Sequence, residues 1–431
     1  MNIIMILLAF NFILIIHELG HFVVAKLSKI KVEEFSLFVG PKLFSFTKGE
    51  TTYSLRLFPI LAYVKMEGED EESESENAFN KKPVWVRAAV IAAGPLANIL
   101  SAIILITICF YISGFQTMTI SKIGEDSPAL RAGLQVGDEI IEYDNKRVYQ
   151  PLDLQQFLYI SKGKPTNIKV KRNNEVVELY IEPQVIPSTK RYMLEFTLNT
   201  ESSKVNVVES VSKGGAADKA GIQKGDRIVK INGEDVNDYN SLRAALQQYG
   251  NSSVVVTVER NGEMLDLEAT PVEAVDMEQY NVGFAFGYTK GSVLASLKQG
   301  TVFAYSNVRL VPYTLGWLFT GKASIAEMVG PVGIVSSMND AVNTTTSTID
   351  AILTILYMTA YISVAVGATN LVPFPALDGS KLVILAIEAI RRKPIPIEKE
   401  AIITTVGFFL LIGLSIFITI KDIANLFGFS F

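Results

Sequence analysis

The sequence predicts a multi-pass α-helical membrane protein of about four transmembrane helices, with a β-hairpin and two inserted β/α domains of one fold. Three observations predict it. Four apolar stretches approach the length of a bilayer span, a central segment repeats at a fixed offset, and a His-Glu-x-x-His motif closes an apolar run.

Composition sets the class. Apolar residues make up 49% of the 431 residues and mean hydropathy is +0.30, yet charged residues still account for 19%. That is too apolar for an ordinary soluble protein and too polar for a chain wholly in lipid. The net charge of -5 carries no basic excess, so nucleic acid is not an expected partner. The single cysteine, Cys109, allows no intrachain disulfide and reads as a small buried hydrophobe.

The candidate spans are 3–25, 88–112, about 349–372 and 402–420. Each meets or approaches the ~20 residues that cross ~30 Å of hydrocarbon. The first lacks a basic leader and a small-x-small cleavage site and runs on through a charged motif, so it reads as a retained span. Lys26, Lys29 and Lys31 follow span one, and Lys81, Lys82 and Arg87 precede span two. Arg391, Arg392, Lys393 and Lys399 lie between spans three and four. These groups share one side only if all four spans cross. By the positive-inside rule that side is the cytoplasm, leaving both termini and residues 114–345 outside the cytoplasmic membrane.

An offset of 88 residues carries Gly133-Leu134 onto Gly221-Ile222, Gly137-Asp138 onto Gly225-Asp226 and Arg172-Asn173 onto Arg260-Asn261. Tyr192 and Phe196 fall on Tyr280 and Phe284 with no gap. Two tandem domains follow, at 117–200 and 203–290, between membrane-core halves at 1–113 and 291–431. Runs at 167–172 and 253–260 read as strands, and 152–158 and 240–246 as short helices.

The stretch Ser127-Pro-Ala-x-x-Ala-Gly-Leu-x-x-Gly-Asp-x-Ile140, repeated at 216–228, resembles PDZ domains of the bacterial circularly permuted kind, whose peptide-binding strand comes last. That resemblance implies binding of extended peptides by strand addition and of peptide C-termini on backbone amides. In the second copy the carboxylate loop would be Asn281-Val282-Gly283-Phe284, where Gly283 can adopt the required angles. The first copy has Met193-Leu194-Glu195-Phe196, and Glu195 adds a Cβ and a negative charge. The second copy is therefore expected to bind carboxylates better.

His17-Glu18-Leu19-Gly20-His21 closes span one and holds the chain's only two histidines. Histidines four apart share one helix face, so both can bind one metal, and Glu18 can serve the attacking water as general base. The apolar run 3–16 ahead of it makes about 21 Å of helix, which keeps Glu18 at or inside the hydrocarbon layer. An ionisable group there costs roughly 2.5–3.5 kcal/mol and is functional by default. Catalytic zinc usually takes three protein ligands. Asp378, in Asn370-Leu-Val-Pro-Phe-Pro-Ala-Leu-Asp378-Gly379, is the best third candidate, because the topology brings the ends of spans one and three to one membrane face. Glu33 and Glu34 come next.

Further landmarks are Phe79-Asn-Lys-Lys-Pro-x-Trp-x-Arg87, Ala93-Gly-Pro-Leu-Ala-Asn98 and Gly330-Pro-Val-Gly-Ile334. In this order along the whole chain, the motifs resemble the site-2 protease family of intramembrane zinc metalloproteases, in its bacterial regulatory branch. The resemblance implies Zn²⁺ held by His17, His21 and Asp378, Glu18 activating water, and Asn98 and Asn370 helping to hold substrate. It also implies a membrane-associated β-hairpin, here with strands near 35–39 and 53–57 and a turn at Lys48-Gly49. The family's Gly-Gly-Tyr-Val is replaced by Pro59-Ile-Leu-Ala-Tyr-Val64. The acidic run 67–77 reads as a solvated linker and 292–320 as an interfacial helix.

The expected function is peptide-bond hydrolysis in transmembrane segments of single-span proteins such as anti-sigma factors, or in signal-peptide remnants. The zinc site would lie toward the cytoplasm. The alternative is a non-enzymatic membrane scaffold binding peptides through its PDZ pair.

Overall fold

The computed structural model describes every residue except 1, 70, 200–205, 213, 277, 344, 346 and 427–431. Helix α1 (Asn2–Leu27) is apolar around most of its circumference outside the His17–His21 motif, and leads into β1 (Val32–Lys48) and β2 (Thr51–Met66). The turn at Gly49, φ +65°, pairs Lys48 with Thr51 and lays 42–48 against 51–56. Gly40, φ +93°, bends β1, so its first half lies beside both ends of β2: Phe35 faces Val64 on one side and Tyr53 on the other. The expected strands 35–39 and 53–57 do lie side by side, Phe35 opposite Tyr53 and Leu37 opposite Leu55, while 42–48 is the stretch that pairs directly across the turn. Residues 59–64 remain in strand without the family's glycines. Arg56 ties the bend together, donating to Gly40 O at 2.9 Å, to Ser36 Oγ at 3.1 Å and to Glu34 at 2.9 Å. Burial would raise the Glu34 carboxyl, but hydrogen bonds from Ser54, Arg56 and Tyr63 hold it at about 2.

Helix α2 (Val84–Ser113) returns alongside α1 and runs directly into β3 (Phe115–Ile123). Then follow α3 (Pro128–Arg131), β4 (Glu139–Tyr143), β5 (Lys146–Arg147), α4 (Pro151–Ser161), β6 (Thr166–Arg172) and β7 (Glu175–Ile181). The next segment carries β8 (Gln184–Ile186), β9 (Thr189–Met193) and β10 (Phe196–Leu198). The second copy continues with β11 (Val208–Val211), α5 (Ala216–Ala220), β12 (Arg227–Ile231), β13 (Glu234–Asp235), α6 (Tyr239–Tyr249), β14 (Val254–Arg260) and β15 (Glu263–Ala269). It closes with β16 (Val272–Asp276), β17 (Gln279–Asn281) and β18 (Phe284–Thr289).

The 88-residue offset holds down to single hydrogen bonds. Ile120 N donates to Asp138 O at 2.8 Å, and Val208 N to Asp226 O at 2.8 Å. The Arg172 guanidinium grips the buried Asp138 at 2.7 Å and Gly133 O at 2.8 Å, while Arg260 grips Asp226 and Gly221 O, both at 2.7 Å. Core residues repeat likewise, Ile140, Ile168 and Val170 becoming Ile228, Val256 and Val258.

The expected limits of the two copies need correction. β10, assigned to 117–200, pairs with β11 of the second copy, Phe196 opposite Val211 and Leu198 opposite Val208. β18, assigned to 203–290, pairs with β3 of the first, Phe284 opposite Ile123 and Phe286 opposite Ile120. The second domain is thus a chain insertion within the first, and residues 182–283 cluster apart from 284–289. The reason is proximity along the chain. β10 lies a few residues ahead of β11, and Leu194 beside it is buried in the second core, so the nearest partner wins. The outgoing and returning segments pair with each other, β8 with β17 and β9 with β16. The edge strand therefore comes last only in the first domain and comes first in the second. Gly283, φ +82°, immediately precedes β18 and so introduces the first domain's strand, whereas Glu195, φ +60°, introduces the second domain's. The expectation that the second copy binds carboxylates better rested on the opposite pairing and falls with it.

Helix α7 (Val293–Phe319) covers the segment expected to be interfacial. Its Arg309 reaches the fully buried Asp153 of α4 at 3.0 Å and lies over the Tyr149 ring at 4.6 Å, which fixes α4 to α7. Then come α8 (Pro331–Asn343), α9 (Thr348–Asn370), α10 (Asp378–Arg391) and α11 (Ile397–Leu426). Asp422 of α11 accepts from the amides of Gly330 and Gly333 at 2.9 and 2.8 Å, holding Gly330-Pro-Val-Gly-Ile334 at the start of α8. Among the described residues four helices are long and apolar enough to cross a membrane, α1, α2, α9 and α11, as the sequence predicts. Within the acidic run Glu71, Glu72, Glu74 and Glu76 are exposed, as a solvated linker should be, while its start is held: Phe79 N donates to Glu67 O at 2.7 Å, and Glu69 pairs with Lys381 at 2.9 Å.

Candidate metal centre

His17 and His21 occupy one face of α1, one turn apart, and Asp378 is the first residue of α10. Two prolines, at 373 and 375, end the run of α9 and turn the chain so that α10 starts beside α1. His17 Nε2 lies 3.2 Å from Asp378 Oδ2, His21 Nε2 lies 3.7 Å from the same oxygen, and the two Nε2 atoms are 3.2 Å apart. Three ligands on a tetrahedral zinc, at 2.0–2.2 Å from it, stand about 3.4 Å from one another. Asp378 Oδ2 is buried and accepts no hydrogen bond, which is the state of an oxygen kept for a cation. The residues fit zinc.

The imidazoles are aimed from behind. His21 Nδ1 donates to Val90 O at 2.8 Å, leaving Nε2 bare for metal. Asn98 Nδ2 lies 3.3 Å from His17 Nδ1, and Asn98 Oδ1 is buried without a hydrogen-bond partner, so a half-turn of the amide puts the oxygen against the ring. With Nε2 on metal, His17 Nδ1 carries the proton, and the amide oxygen is the acceptor that suits it. Close packing makes this possible. A Cβ on Gly94 would stand 2.2 Å from His21 Nε2, and one on Gly379 would stand 2.3 Å from Val372 O. Glu18 is half-buried on α1, with the backbone of Val64 in β2 beside its carboxylate.

The predicted residues divide. His17, His21 and Asp378 come together, with all three ligand atoms within 4.8 Å of one another. Glu33 and Glu34 are engaged elsewhere, by Lys65 at 2.8 Å and by Arg56 at 2.9 Å. Asn98 is fully buried behind His17. Asn370 instead ends α9 beside an apolar cavity of 510 Å³ lined by Val329, Ile334, Met358 and Tyr361. Gly283 lies in the domain region. Sequence reasoning missed Val90, Gly94 and Val64. Gly94 was visible inside Ala-Gly-Pro-Leu-Ala-Asn, but only the helix crossing assigns it to His21.

Comparison with known proteins decides the family. The pattern of Peptidase family M50 matches residues 5–414. The chain belongs to that family. It is 32% identical over 447 residues to zinc metalloprotease RasP of Bacillus licheniformis, covering 99% of each chain. It is 29% identical to zinc metalloprotease RasP of Shouchella clausii, with 97% of this chain and 98% of that one covered. The RasP of Geobacillus kaustophilus is 28% identical, with 99% and 98% covered. As an M50 peptidase the chain is a membrane metalloprotease with zinc as its cofactor.

Proposed function

We propose that this peptidase cuts within the transmembrane segments of single-span membrane proteins or signal-peptide remnants, as a step of regulated intramembrane proteolysis. The observation that carries the reading is depth. His17 stands 15 residues from the start of α1 and ten from its end, about 22 Å and about 15 Å along the helix. A site so placed on a spanning helix lies inside the hydrocarbon layer. The lysines and arginines beyond α1 favour the cytoplasmic half of a cytoplasmic membrane, with the sheet domains outside.

Zinc, when bound, polarises the scissile carbonyl and acidifies the attacking water. His17, His21 and Asp378 would hold it, and the Asn98 amide would keep the His17 ring in the productive tautomer. Glu18 takes the proton from water and passes it to the leaving amide nitrogen. A substrate helix must first unwind, because its carbonyls are bonded within the helix. Asn370, at the end of α9 beside an apolar cavity, is placed to bond a freed carbonyl or amide there. The sheet domains, which resemble PDZ domains in sequence, would bind extended peptide ends. Gly283 favours the first domain for this, and Glu195 disfavours the second.

The test is a Glu18→Gln chain used to trap substrates in membranes, followed by sequencing of what co-purifies. Single-span proteins cut within the span by the unsubstituted chain are expected. Capture of soluble proteins alone, cut outside the bilayer, would refute the reading.

A further inference from the structure

We propose that a cavity between the ends of α2 and α9 binds an uncharged, hydroxyl-rich lipid headgroup, of the kind a glycosyl diacylglycerol carries, drawn from the adjoining leaflet. The cavity holds 480 Å³, a volume usual for small-molecule sites. Its level in the membrane is set by two spans. Ser113 is the last residue of α2, Asp350 is the third of α9, and both line the cavity. The Tyr288 hydroxyl donates to the carbonyl of Ser113 at the same level. The cavity therefore opens at the bilayer boundary, on the face where β3 begins.

Its chemistry changes with depth. Beyond the end of α2 the wall carries the side-chain amides of Gln116, Gln150 and Gln155. Inside the spans it carries Cys109, one turn back from Ser113, and Leu353 and Tyr357, one and two turns on from Asp350. Asp350 to Tyr357 is about 10 Å of helix, so the apolar wall reaches well into the hydrocarbon layer. A ligand polar at one end and apolar at the other matches both parts. A free sugar would leave the apolar wall uncovered, and a bare acyl chain would leave the amides without partners.

Gln150 narrows the polar end. It is 5% exposed, and its Nε2 makes no hydrogen bond. Buried donors are nearly always paired, so this amide calls for an acceptor. Among the described residues that line the cavity, Asp350 is the one charge, with no lysine or arginine. Nothing there grips a phosphate or a carboxylate. An ammonium group would suit Asp350 and the aromatic rings, but it offers Gln150 no acceptor. A hydroxyl donates and accepts, as the amides do, and it satisfies the whole polar wall without a countercharge.

The test uses the full-length, zinc-loaded chain in nanodiscs and does not depend on any substrate. The discs hold equal amounts of glucosyl diacylglycerol, diacylglycerol, phosphatidylethanolamine and phosphatidylglycerol, all with the same acyl chains. Native mass spectrometry then counts what stays on the protein. The glucosyl lipid should be retained about tenfold over each of the others. Gln150→Leu should erase that preference, and so should Gln155→Trp, which fills the cavity from an exposed position. Retained zinc shows that each variant is folded. Free methyl glucoside should not displace the lipid. Equal retention of diacylglycerol would mean that the headgroup is not read, and a lead for either phospholipid would mean that the wrong headgroup chemistry was assigned. Displacement by methyl glucoside would make the ligand a soluble sugar, and a preference untouched by both substitutions would put the lipid elsewhere. Each of these four results would overturn the inference.

Discussion

The side-chain amide of Asn98 lies 3.3 Å from His17 Nδ1, while Nε2 of the same ring faces Asp378 at 3.2 Å. Asn98 therefore stands behind the proposed metal ligand His17, and its effect should be felt in metal affinity. Asn98→Leu is expected to weaken zinc binding about 10–100-fold, and Asn98→Asp, which keeps an acceptor, to weaken it far less. Chelator competition measures this. An unchanged zinc affinity with a raised KM would assign Asn98 to substrate instead.

His17→Ala, His21→Ala and Asp378→Ala should each abolish stoichiometric zinc. Glu18→Ala should keep the metal and lose about 10²–10⁴ in kcat, the usual contribution of a general base. Metal analysis beside turnover on one membrane substrate separates the two classes.

Gly94→Ala should behave as a ligand substitution without touching a ligand. Its Cβ would stand 2.2 Å from His21 Nε2. The helices must part or the imidazole must turn, and zinc content should fall. An α2 tolerant of alanine here, with full zinc, would contradict the packing.

Arg260→Ala strands the buried Asp226 carboxylate and should cost the second domain about 3–5 kcal/mol, with Arg172→Ala doing the same to the first. Burial would raise the Asp226 carboxyl, but Arg260 and the Gln223 amide outweigh it and hold it below the usual range. A depressed folded value contributes stability above the unfolded value of about 3.9, and the contribution is lost as pH falls through the folded value. The Tm of the second domain should therefore be insensitive to this pair near neutrality and drop below about pH 4.

Residues 182–283 should unfold cooperatively as an isolated fragment, since β10 is included with the sheet it joins. Residues 117–200 should not, because their edge strand β18 is missing. Chemical denaturation followed by circular dichroism compares them.

Much of this was legible in the sequence because it depends on local pattern. The spans follow from apolar length, the cluster of His17, His21 and Asp378 from four-residue spacing plus shared depth, and the repeat from a gapless offset. Strand exchange was not legible. Phe196 and Phe284 are equivalent by repeat, and equivalence says nothing about which copy each strand joins. The role of Asn98 was hidden for a related reason: its motif marks a polar residue in a span, but only the crossing of α1 and α2 turns it toward His17. The bend at Gly40 was likewise read as a plain hairpin, since alternation alone cannot show that one strand meets both ends of its partner.

The pairing of Phe284 with Ile123 also sets a clock. The ribosome makes β18 about 160 residues after β3, and at 5–20 residues per second that is a wait of roughly 8–32 s. During it the inner domain has every strand it needs and can close first, although its sequence comes later. The outer domain, begun earlier, must keep β3 open until the nascent chain has run past β18. Synthesis order and folding order are thus inverted, and a truncation immediately before residue 284 leaves a finished inner domain on an unfinished host.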